Sequence, residues 1–286
     1  MTRLPFIISV PHSGLTIPEE VRSLCRLNRD EIQNDSDGGA GDIYSMLKRH
    51  VQCFVTTDIA RAVVDLNRPD DDFSKDGVIK THTCWEVPIW SSPLPKILCD
   101  TLLEKYYYPY HQKLASLAGN PSLVLGIDCH TMAATGPPIG PDPGEERPFI
   151  NLGNLGHSSC PETWAMSMVE CFQKYFGDNV TLNHPFKGGW ITRHYSRLMP
   201  WIQIEISRAP FLTDSEKGLK ILSALKMWTE KMPIIRQEPK TRQEPKKFVN
   251  SPSMTDEKIR GKGPFSRLLI IVRGLKFHIG NISIFM

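Results

Sequence analysis

The sequence predicts an α/β domain in which helices cover a sheet, and three observations carry that expectation. Short, β-branched apolar runs alternate with longer segments of helical periodicity. Two of the runs are followed within three residues by a histidine. The hydrophobic content, 40% of 286 residues, is enough to build a substantial core.

Phe6 to Val10, Gln52 to Thr57, Ser122 to Ile127 and Ile202 to Ile206 have the length and bounded character of buried strands. Apolar residues recur at helical spacing over Asp42 to His50, Leu94 to Leu117, Pro161 to Phe176 and Asp214 to Lys231. Asp42 and Asp214 are the predicted N-caps, because a short acceptor side chain satisfies N–H groups that a helix start leaves open. Pro161 suits the first turn, where a missing N–H costs nothing. The Pro- and Gly-rich stretch Gly136 to Gly144 reads as an ordered active-site loop, with a disordered linker as the alternative. After Ile235 the composition changes, and Arg-Gln-Glu-Pro-Lys at 236–240 recurs at 242–246. We therefore expect one domain over 1–236 and a dissimilar tail over 237–286. The tail's Leu268 to Val272 run is broken by Arg273, Lys276 and His278, well short of the ~20 apolar residues a membrane helix needs.

A net charge of +3, from 34 basic and 31 acidic residues, gives no global field to attract nucleic acid or a membrane surface, so a small, locally recognised partner is expected. Cysteines at 25, 53, 84, 99, 129, 160 and 171 form no C-x-x-C pair and read as reduced thiols of a cytoplasmic protein. Phe6 to Val10 is too short for a signal-peptide core.

Pro11-His12-Ser13-Gly14 follows the first strand, and Asp128-Cys129-His130 repeats the arrangement after the third. Histidines at strand ends project into the crevice where α/β proteins bind ligands, and imidazole is a common metal ligand. A hydrolytic zinc site commonly has three protein ligands, so an acid is sought beside them. Asn34-Asp35-Ser36-Asp37-Gly38 offers Asp35 and Asp37, which share a direction if the segment is extended; Asp37 is favoured, and a solvated turn is the alternative. Asp128 either orients His130 from behind or caps a turn. Glu205, inside Ile202-Gln203-Ile204-Glu205-Ile206, is a candidate general base or one residue of a wet strand face. Arg61 and Arg68 flank an apolar stretch, and a guanidinium grips a carboxylate with two parallel hydrogen bonds; an internal salt bridge to Asp65 is the alternative. Lys187 and Arg193 bracket Gly188-Gly189, which suits close approach to an anion or a plain turn.

Together, Pro-His-Ser-Gly, Asp-Leu-Asn-Arg-Pro, Asp-Cys-His, Phe-Lys-Gly-Gly-Trp-Ile-Thr-Arg-His-Tyr and Gln-Ile-Glu-Ile stand in the order seen in N-formylglutamate amidohydrolases, and the chain resembles that family over about residues 5 to 215. The resemblance implies the mixed sheet of zinc-carboxypeptidase-like (phosphorylase/hydrolase-like) enzymes. It also implies cleavage of N-formyl-L-glutamate to formate and L-glutamate, a late step of histidine breakdown. Carried onto this chain, it makes His12 and His130 ligands of zinc or another divalent metal, Asp37 the third ligand and Glu205 the base. It further implies that Asn67 and Arg68 grip one carboxylate of an anionic N-acyl amino acid, that Arg193 binds the second carboxylate, that Arg61 stabilises the oxyanion and that Lys187 is a further substrate contact. Leu15 stands where the carboxypeptidase pattern His-x-x-Glu would place an acid, and Tyr195 to Pro200 departs from the family's Tyr-Gly-x-Pro segment.

Competing readings are a deacylase or carboxypeptidase-like enzyme for another N-acyl amino acid or peptide, and a non-catalytic binding protein. A thiol hydrolase using Cys129 with His130 is disfavoured, because neighbours on a strand face opposite ways.

Overall fold

The computed structural model describes residues 3–235; the expected tail, 237–286, with its repeat and its Leu268 to Val272 run, lies outside the described residues. Strand β1 (Leu4–Val10) leads to helices α1 (Arg29–Asp35) and α2 (Ala40–Ser45) and then to β2 (Val51–Thr56). Helices α3 (Lys96–Leu102) and α4 (Tyr108–Ala118), joined by a π-helical turn, precede β3 (Leu125–Met132). There follow β4 (Ile150–Gly153), α5 (Glu162–Phe176), β5 (Val180–Leu182), α6 (Trp190–Tyr195), β6 (Trp201–Ser207) and α7 (Asp214–Ile235).

The strands form one sheet in the order β2-β1-β3-β6-β4-β5. The first four in that order run parallel, β4 opposes β6, and β5 follows β4, so the sheet is mixed and the fold α/β. Alternation along the central strands separates its two faces. Phe6, Ile8, Val10, Ile127, Cys129, Ile202, Ile204 and Ile206 share a core with buried residues of α2, α5 and α7, Trp228 among them. Ile7 and Trp201 begin the other face, over which α4 and α6 pack. Toward the C-terminal ends of the strands that second face turns polar: Ser9 is paired with Asp128, Asp128 with Gln203, and His130 with Glu205. All five are buried. No helix among the described residues is long and apolar enough to cross a membrane.

Several boundaries differ from expectation for identifiable reasons. Strand β3 runs on through Asp128, Cys129 and His130 rather than ending at Ile127, because the parallel ladder to β6 continues where the side chains become polar. Helix α2 ends at Ser45 and is capped by Gly39, in the left-handed region at φ 81°; Asp42 sits in its first turn. Thr213 caps α7 by exchanging hydrogen bonds with Glu216, so Asp214 is already helical. Pro161 is the cap of α5 and not a first-turn residue. The stretch from Leu94 to Leu117 is interrupted by the π turn at Leu103–Tyr107. Helix α1, which the sequence reading lacked, has a capping box between Asn28 and Glu31.

Candidate metal and substrate site

His12 lies in the turn two residues beyond β1, His130 lies in β3, and Asp37 follows α1; the structure brings all three together at the C-terminal ends of the parallel strands. Asp37 Oδ2 is 2.9 Å from His130 Nδ1 and 3.5 Å from His12 Nδ1. All three residues are buried, and their ligand atoms lie within 4.8 Å of one another.

The remaining imidazole nitrogens are also engaged by carboxylates. His12 Nε2 is 2.8 Å from Asp65 Oδ1, and His130 Nε2 is 3.1 Å from Asp128 Oδ2. A neutral imidazole that donates Nε2–H to such a carboxylate presents the Nδ1 lone pair to the centre of the cluster, the arrangement found behind metal-binding histidines. The donor set therefore fits a divalent cation of zinc type. Burial opposes ionisation of Asp37, yet the two imidazoles, His12 foremost, hold its carboxyl well below the usual range. Burial likewise opposes charging of His130, but Asp128 first and then Asp37 press its pKa well above the ordinary value.

Asp35 and Asp37 do not point the same way, as an extended segment would require. Asp35 ends α1 and is turned into the interior, where it accepts the Cys84 N–H at 2.7 Å and faces the fully buried Lys80 ammonium at 3.5 Å. Lys80 also reaches Asp76 at 2.9 Å and Asp65 at 3.7 Å. Asp65 is itself held by Arg61 Nε at 3.1 Å, so the arginine–aspartate pair foreseen as the structural alternative is present, while Arg61 still lines the cleft. Gly14 makes this assembly physically feasible. A Cβ there would lie 2.1 Å from the Asp58 carbonyl carbon, so only glycine lets the Asp58–Arg61 segment run against the histidine turn.

Glu205 is the register partner of His130, so sheet geometry places both on one face. Its Oε1 accepts a 2.7 Å hydrogen bond from Gln203 Nε2, and Gln203 Oε1 accepts the Gly189 N–H. Burial, foremost, raises the Glu205 carboxyl to about 7, with Asp37 and Asp128 adding to the effect and His130 opposing it. The Cys129 thiol is buried in the opposite, apolar face, away from any partnership with His130.

These groups open on a cleft of about 420 Å³. Arg61, Arg68, Lys187, Arg147 and Arg208 line it, as do Pro137, Ile139, Gly140 and Pro141 of the loop expected to border the site. Asn67 lines the cleft as well, but its carboxamide is occupied within the protein. Its oxygen accepts the Ile191 N–H at 2.8 Å, and its nitrogen lies 3.2 Å from His130 Nε2 and 3.4 Å from Asp128. A Cβ at Gly189 would meet that nitrogen at 2.2 Å, which is why Gly189 follows Gly188. Arg68 lines the cleft, with Nε and Nη2 donating to Asp76 and Nη1 to the Asn67 carbonyl. Arg193 is exposed on α6 and does not line the cleft.

Sequence reasoning missed Lys80, Gln203, Arg147 and Arg208, and it named Asp65 only as a salt-bridge partner. Gln203 alone had a local signal, since it precedes Glu205 by one strand period.

A sequence profile of the N-formylglutamate amidohydrolase family matches residues 4–212. The N-formylglutamate deformylase of Pseudomonas putida is 27% identical over 228 residues, covering 75% of this chain and 84% of its own. That of Pseudomonas aeruginosa is 25% identical over 248 residues, covering 74% and 84%. Among solved structures, the N-formylglutamate amidohydrolase of Ralstonia eutropha superposes with a TM-score of 0.64 at 18% identity, over 82% of this chain and 94% of that one.

Proposed function

The chain belongs to the N-formylglutamate amidohydrolase family, and from that membership we propose that it is a metal-dependent amidohydrolase cleaving N-formyl-L-glutamate to formate and L-glutamate. The observation that carries the reading is the pairing of His130 with Glu205. A ligand of the proposed cation site and a carboxylate suited to proton transfer stand side by side above a cationic cleft.

In this reading His12, Asp37 and His130 hold zinc or another divalent metal. Bound there, the cation supplies Lewis acidity that polarises a carbonyl and acidifies water. Glu205 takes a proton from the attacking water and returns it to the amide nitrogen as the C–N bond breaks. Its elevated pKa, close to neutrality, favours both transfers, and the Gln203 amide fixes the carboxylate that performs them. Arg61 offers positive charge to the oxyanion that develops on the formyl oxygen. Arg68 grips a substrate carboxylate. Asn67 contributes by tying Asp128, the carboxylate behind His130, to the turn at Gly189–Ile191, and Lys187 adds charge at the rim. The reaction would stand late in histidine breakdown, and seven free thiols suit the reducing cytoplasm.

Formate release from N-formyl-L-glutamate, measured after chelation and after zinc is restored, tests substrate and cofactor together. We expect activity to vanish and return. Activity that survives exhaustive chelation would overturn the metal, and turnover of other N-acyl amino acids but not this one would overturn the substrate.

A further inference from the structure

The cations lining the cleft divide sharply by what they already bind. Arg61 is paired with Asp65, Arg68 with Asp76, and Arg147 forks onto Asp142 at 2.6 and 2.7 Å. Arg208 differs from all three. Among the described residues it makes no ion pair, and the one hydrogen bond its guanidinium makes is from Nη1 to the Ser36 carbonyl, 3.0 Å away. A guanidinium carries five N–H donors, so most of its capacity and all of its charge remain uncommitted.

Its position is fixed from both ends. Arg208 is the first residue after β6, three beyond Glu205, and its N–H donates to the Met132 carbonyl at the end of β3. The Ser36 carbonyl then holds the head beside Asp37. The half-buried side chain therefore lines the cleft, running from the end of the strand that bears Glu205 to the backbone next to Asp37. Lys187 is the other lining cation without an acid partner among the described residues, but it is exposed at the rim. An exposed ammonium stays hydrated and discriminates little, whereas a tethered, planar guanidinium demands a matching carboxylate.

We propose that Arg208 is the specificity-determining residue that binds the second carboxylate of the substrate, the role expected of Arg193 from the sequence, and so restricts the site to dicarboxylates. This inference rests on the amidohydrolase reading for the identity of the substrate, while the charge argument stands on the cleft alone. A site built around a charged partner rejects the uncharged analogue because the guanidinium would be left unpaired out of water.

The test compares the metal-loaded wild type, Arg208→Gln, Arg208→Lys and Arg193→Ala. For the wild type, kcat/KM should favour N-formylglutamate over N-formylglutamine by at least ~100-fold. In Arg208→Gln that preference should fall to within ~5-fold, through loss on the glutamate substrate and chiefly in KM. Arg208→Lys should lie between the two, and Arg193→Ala should keep the wild-type preference. Calorimetric titration with glutarate, a dicarboxylate without an amide, reads the same anchor independently of turnover. Its affinity should fall at least ~10-fold in Arg208→Gln, while the weak binding of butyrate stays unchanged. Glutarate binding that depends on Arg208 in a protein that does not hydrolyse N-formylglutamate would uphold the anchor and refute the substrate. A wild type indifferent to the second charge, or glutarate affinity unaltered in a folded Arg208→Gln protein, would overturn the proposal.

Discussion

The two histidines of the candidate site are mounted alike and insulated differently. Each turns Nδ1 toward Asp37 and rests Nε2 on a buried aspartate. Behind His12, however, Asp65 is surrounded by the cations of Arg61, Arg68 and Lys80, whereas behind His130, among the described residues, Asp128 meets only the neutral Ser9 hydroxyl at 3.2 Å and the Asn67 amide. The same local device thus serves two ends. Asp65 is one member of a cluster with three cations, while among the described residues Asp128 has its only ion pair with the imidazole it supports.

The sharpest break in the comparison would be an arm that is not a ligand at all. His12→Ala and His130→Ala should each lower bound metal below ~10% occupancy and activity by at least ~1000-fold, as removal of one of three ligands implies. Metal analysis of the purified variants decides it, and near-stoichiometric zinc in either would remove that arm from the site. Next comes Asp65→Asn, which leaves Arg61 and part of the Lys80 charge without a buried counterion and should cost about 3 kcal/mol of stability in denaturant unfolding. A variant as stable as wild type would contradict the structural role given to this arm.

On the other arm, Glu205→Gln should keep both metal and fold but reduce turnover at least ~100-fold. Asp128→Asn should have a smaller effect of another kind, a ~10- to 100-fold loss of metal affinity with little change in melting. Competition with a chelator measures it, and if Asp65→Asn and Asp128→Asn behaved identically the two supports would be equivalent after all. The mildest test is pH. A base must be ionised, so kcat/KM should fall as pH drops through the pKa of Glu205. Because burial raises that carboxyl from the ordinary 4.5, the acid limb should lie above the normal carboxylate range. A limb at 4.5 that Glu205→Gln leaves in place would assign the titration to another group.

How much of this arrangement was readable from sequence varied with the range of the interaction. The four mutually parallel strands, β1, β2, β3 and β6, announced themselves as apolar, β-branched runs, and His12, His130 and Glu205 were visible as polar residues at or within three of them. The same logic misplaced the end of β3, since Asp128 and His130 interrupt the apolar pattern where the ladder does not stop. The short strands β4 and β5, of four and three residues, carry too little pattern to be seen alone and exist through pairing with β6 and with each other. Asp37 and Asp35 could not be separated locally, because what distinguishes them is a helix end that sends one toward Lys80 and the other toward the imidazoles. Arg193 had the right neighbourhood in sequence and the wrong side of a short helix, whereas Arg208 lay beyond the motif and became apparent only once Ser36 and Met132 were seen to hold it.

The adjacency of His130 and Glu205 has a consequence for how such a protein diversifies. Their spacing is set by a ladder of main-chain hydrogen bonds, which is indifferent to most side-chain replacements, so the pair proposed to act together can be inherited intact while the surrounding sequence drifts. Arg61, Arg68, Arg147 and Lys187, by contrast, all sit on segments that connect the strands and helices. In the proposed reading, the charges that meet the substrate are therefore carried by connections that can be exchanged, while the pairing of His130 with Glu205 is held by strands that cannot. Grafting the connection between β3 and β4, or the one between β5 and α6, from a relative is accordingly the economical route to a new acyl or amino-acid preference without rebuilding the chemistry.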